Sequence, residues 1–116
     1  MAAPVLPLIL RQHAEQAAFL WTVYDRARLF PDENPEMDDL RIARLLERLE
    51  AHLDGLRIAG DEGRAIAEAR YQDYPEAGEL FVLRMLQPGA ENHRVADLDL
   101  GRVRDYLAAK LGAAQP

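Results

Sequence analysis

Apolar side chains recur at steps of three and four along most of this chain, and prolines and glycines interrupt the recurrence. Ile9, His13, Ala17, Leu20, Tyr24 and Ala27 trace one such line, and Leu10, Ala14, Ala18, Trp21 and Val23 widen it. A helix turns once in about 3.6 residues, so this spacing gathers one buried stripe, whereas a strand would send it to both faces. The spacing predicts a first helix over residues 8–29, with Pro7 in its first turn, where a missing N–H costs nothing. Pro31 and Pro35 then break the pattern inside an acidic loop. Asp38 or Asp39 is placed to cap a second helix over 40–59, whose apolar face is Ile42, Leu45, Leu46, Leu49, Leu53, Leu56 and Ile58. Gly55 inside that helix costs about 1 kcal/mol against alanine, so a kink or a close neighbour is expected there. Gly60 is placed to end the helix.

Shorter helices follow. Asp61 is expected to cap one over 62–72, with Ala65, Ile66, Ala69 and Tyr71 on its inner face; Tyr74-Pro75 breaks it. The next runs over 76–86 with Leu80, Phe81, Leu83, Met85 and Leu86, until Pro88-Gly89. A short helix over 91–97 and a last one begun by Asp99 complete the reading. Leu, Ala, Arg and Glu, all good helix formers, dominate, while the β-branched residues that favour strands are sparse. The expected fold is therefore all-α, one domain over 1–116, built as a five to six helix orthogonal bundle or a short HEAT-like α-solenoid segment. Short antiparallel helix pairs suit such a solenoid, although no internal repeat is evident.

Several kinds of chemistry lack their reagents. There is no cysteine, no serine, and a single threonine, Thr22, so thiol and hydroxyl nucleophiles are nearly missing. No glycine-rich phosphate loop or GxSxG elbow is present. His13, His52 and His93 stand at no metal-ligand spacing, and packing at a helix interface accounts for them. Glu47 and Glu50 would serve as an acid/base pair only in a cleft, and ion pairing on a wet helix face with Arg44, Arg48 and Arg57 is the simpler account. The run Asp32, Glu33, Glu36, Asp38, Asp39 lacks the alternating ligands and central glycine of a calcium loop. Neither an enzyme nor a cofactor is expected. The stretch Val5–Leu10 is far too short to span a membrane, and no basic segment precedes it as in a signal peptide. Absence of cysteine suits a reducing cytosol, and the cytoplasm is the expected location.

The net charge is −6, spread evenly along the chain. Without a basic block, direct nucleic-acid binding is not expected, because phosphate contacts supply most of that affinity. An acidic field steers a basic protein toward it.

Two blocks carry a family resemblance. Val5-Leu6-Pro7-Leu8-Ile9-Leu10 through His13-Ala14-Glu15-Gln16-Ala17-Ala18-Phe19-Leu20-Trp21, and the run from Arg48 to Gly60, resemble the N-terminal region of an uncharacterised bacterial family. The likeness covers residues 5–60 well and 61–110 loosely. Members of that family continue into HEAT-like repeats and are encoded beside type VI secretion components and spike-tip effectors; one such neighbour looks like the immunity protein of a nuclease toxin. The resemblance implies an N-terminal domain of a longer repeat protein, and an immunity or adaptor protein that neutralises a secreted effector toxin, plausibly a basic nuclease, by direct contact. It brings no active-site residue with it. The expected contact surface is Asp32, Glu33, Glu36, Asp38 and Asp39, with Arg44 and Arg48 beside them. The alternative is a helical adaptor, chaperone or dimerisation module, with the apolar segment 4–10 as the seam of a homodimer.

Overall fold

A computed structural model describes residues 6–87. They form α1 (Pro7–Leu29), a turn of 3-10 helix (Pro31–Glu33), α2 (Asp39–Ile58), α3 (Asp61–Asp73) and α4 (Ala77–Met85). No strand occurs among the described residues, and the helices expected at 91–97 and after Asp99 lie outside them. No helix among them is long and apolar enough to cross a membrane.

Local chemistry sets the helix ends. Pro7 opens α1, where its fixed φ suits the first turn. Asp38 caps α2: its Oδ1 accepts from the Arg41 N–H at 2.9 Å, which satisfies a donor with no partner inside the helix. Replacing such a cap by alanine costs about 1 kcal/mol. Asp38→Ala is expected to lower the urea midpoint accordingly, and Asp38→Asn, which keeps an acceptor oxygen, to restore most of it.

Between α2 and α3 the chain turns on Gly60, whose φ of 62° is open to glycine and strained for other residues. Its N–H donates to the Arg57 carbonyl at 3.0 Å, so it ends α2 as expected. It also begins α3. Asp61, expected as the cap, is instead the first helical residue and pairs with Arg64. Likewise Glu76 flanks α4 from outside it.

α1 packs against each of the other three helices. Its inner line is Leu10, Ala14, Ala17, Ala18, Leu20, Trp21 and Tyr24, and the three alanines allow neighbouring backbones to come close. α2 adds Leu45, Leu49, Leu53 and Leu56, while α4 adds Leu80, Phe81, Val82 and Met85. Phe81 lies stacked on Trp21, with ring centroids 5.7 Å apart.

Four expected core positions face water. Ile58 is 87% exposed. It lies two residues past Leu56, about 200° further around the helix, so both cannot face inward. Ile9 is exposed because its neighbour Leu10 takes the inner position. In α3 the buried residues are Gly63 and Ala67, with Ile66 and Tyr71 half-buried, whereas Ala65 and Ala69 are exposed. The tight Gly60 corner fixes this rotation by pressing Gly63 onto Leu56.

Candidate functional site

The acidic turn between α1 and α2 divides into occupied and open carboxylates. Asp38 is occupied: besides capping α2 it pairs with Arg41, Oδ2 to Nη1 3.0 Å. The same guanidinium donates to the Glu36 carbonyl oxygen at 3.0 Å, which pins the turn to the first coil of α2. Glu33 lies 3.6 Å from Arg26 of α1. Asp32, Glu36 and Asp39 are exposed, and their carboxylates have no ion-pair partner among the described residues.

Arg44 and Arg48 stand one turn apart on α2, exposed, and likewise form no ion pair among the described residues. Like charges at this spacing repel mildly. Of the ion pairing expected along this helix, the part made by Arg57 forms: it lies 2.7 Å from Glu50, and also 2.9 Å from Asp54. The seven residues expected to form one surface do not all share a face. Five residues separate Asp39 from Arg44, which places them about 140° apart around α2. Glu36, held by Arg41, sits at the foot of the side that carries Arg44 and Arg48.

Further along α2, His52 meets His13 of α1, Nδ1 to Nδ1 3.0 Å, with the rings tilted by 54°. Both are half-buried at the interface of the two helices. Gly55 makes room for them: a Cβ there would lie 2.7 Å from Cδ2 and Nε2 of His13. The close neighbour expected at Gly55 is therefore this imidazole. Sequence spacing could not reveal the pair, because 39 residues separate its members.

Burial, then the nearby His13 and Arg48, hold the His52 imidazole below its ordinary pKa of 6.5. Above that value both folded and unfolded chains leave His52 neutral, and it contributes nothing to pH dependence. Below it, the unfolded chain takes up a proton that the folded chain resists, so stability falls as pH drops from 6.5 toward the folded value. In the presence of EDTA, the urea midpoint is expected to fall between about pH 7.5 and 5.5, above the main carboxylate range. His52→Gln should flatten that fall; an unchanged slope in the variant would remove His52 as its source.

A third cluster is structural. Arg70 of α3 reaches Glu79 of α4 at 3.3 Å and Glu15 of α1 at 3.4 Å. Its guanidinium lies 4.0 Å over the Tyr74 ring. Glu79 is only 6% exposed, and a buried carboxylate without a cation would be costly. Arg70 thus joins three helices, and nothing about it suggests a reacting centre. Among the described residues no three His, Cys, Asp or Glu side chains are grouped to hold a metal ion.

Comparison with protein-family models, with curated proteins and with solved structures finds no match.

Proposed function

We propose that this chain is a helical protein-binding domain acting by surface contact. The contact surface runs from the acidic turn up the Arg44–Arg48 side of α2. The observation that supports it is charge without compensation. Arg44 and Arg48 repel one another, and Asp32 and Glu36 stand open to solvent, with no ion pair for any of the four among the described residues. A folded protein gains nothing from such an arrangement internally, whereas a partner of complementary charge would supply the missing counterions.

The narrower form of the proposal is neutralisation of a type VI secretion toxin in the cytoplasm, and it rests on the family resemblance and the acidic net charge. With it goes the reading that α1/α2 and α3/α4 are the first two pairs of a short HEAT-like stack. The test is the affinity for the effector encoded beside the gene, at physiological salt. Charge reversal of Asp32 and Glu36 to lysine should weaken binding at least tenfold, chiefly through a slower association rate that depends less on salt. Unchanged affinity would remove the turn from the interface. Asp38 is left intact because it caps α2.

A second reading has its own observation. Leu6, Leu8 and Ile9 are 56%, 60% and 45% exposed at the start of α1, an apolar end that a second copy would cover. Light scattering after size exclusion separates the two readings. A stable dimer that Leu8→Glu dissociates, together with no affinity for the effector, favours the dimerisation module.

A further inference from the structure

We propose that His13 and His52 form a two-histidine site for a divalent late transition-metal ion, zinc or copper, across the α1–α2 interface. Two Nδ1 atoms face each other at 3.0 Å. Lone pairs so close repel unless something positive lies between them, either a shared proton or a metal ion. A tetrahedral ion with metal–nitrogen bonds of 2.0–2.1 Å separates two ligand nitrogens by about 3.3 Å. The two rings therefore need to part by only a few tenths of an ångström to take it.

The surroundings choose this edge of the imidazole. The Nε2 side of His13 lies against the backbone of α2 at Gly55, where even a methyl group would clash. Nδ1 is the nitrogen left facing His52. The two ligands come from packed helices, so the bite is set before any ion arrives, and little ordering is needed on binding. Both rings are half-buried, which leaves water able to complete the coordination shell. Neutral imidazole suits zinc, copper and nickel, while calcium and magnesium prefer oxygen. Arg48 is the opposing charge nearby, but it is exposed and therefore screened.

The test is titration of the full, chelator-stripped chain with Zn²⁺ alone, followed by calorimetry and by urea unfolding. One equivalent should bind, and the unfolding midpoint should rise with zinc because the ion ties two helices together in the folded state only. His13→Gln and His52→Gln should each weaken binding at least tenfold, and His93→Gln should leave it unchanged. Gly55→Ala removes neither ligand and favours the helix, so the protein should still fold. Its methyl group displaces the His13 ring and should also weaken zinc several-fold. Cu²⁺ bound to the wild type should show the spin-echo modulation of two imidazoles. Absence of stoichiometric binding, binding that survives both glutamine variants, or binding lost in the His93 variant would each overturn the proposal.

Discussion

Phe81→Ala is expected to remove about 3–5 kcal/mol of folding stability. The side chain is fully buried and lies against Trp21 at 5.7 Å, with the ring planes only 22° apart. Truncation forfeits the transfer free energy of the ring and leaves a void between α1 and α4 that their backbones can close only in part. A single domain holds its fold by about 5–15 kcal/mol in total, so one substitution takes a large share. Trp21 is the only tryptophan in the chain, which makes its emission a direct report on this contact. The urea midpoint should drop steeply with an unchanged slope, and native emission should shift as water approaches the indole. A midpoint near that of the wild type would mean that α4 does not close over Trp21.

Gly63→Ala should also destabilise the fold, for the opposite reason. A Cβ at this position would sit on the Leu56 carbonyl oxygen and 2.9 Å from its carbon. The obstacle is backbone and cannot rotate aside. α3 would have to lift from the last turn of α2, and overpacking of this kind costs roughly 1–3 kcal/mol, occasionally more. Alanine recovers about 1 kcal/mol of helix propensity, so a net loss of up to about 2 kcal/mol is expected. Gly60→Ala provides the comparison at the same corner. No atom lies within 4 Å of a Cβ there, but φ is 62°, so its cost is backbone strain of about 1–3 kcal/mol. If Gly63→Ala unfolds at the wild-type urea concentration, the corner is looser than described.

How much of this was legible in the sequence depended on the contrast between residues. α1 and α2 carry Leu, Trp and Tyr against Arg and Glu, and their limits were read to within a residue: 8–29 against Pro7–Leu29, and 40–59 against Asp39–Ile58. In α3 the buried residues are glycine and alanine, and alanines also face water, so periodicity had nothing to separate. Ile66 and Tyr71 do pack against the core as expected, and the inner face is misplaced only at Ala65 and Ala69. The Arg70 contacts with Glu15 and Glu79 span 55 and 9 residues, beyond what any local pattern encodes. The candidate surface was legible as a list of charges but not as a face. Which carboxylates are engaged followed only from the reach of Arg26 and Arg41, and the divergence of Asp39 from Arg44 only from their angle around α2.

The position of α1 as common neighbour of α2, α3 and α4 has a consequence during translation. At about 5–20 residues per second, several seconds pass between synthesis of the end of α1 and the start of α4. Throughout that interval Trp21 lacks the aromatic ring that covers it in the finished fold. The nascent chain therefore presents an indole and the apolar groups around it to solvent until Phe81 emerges, a natural handle for whatever chaperone meets it at the ribosome exit.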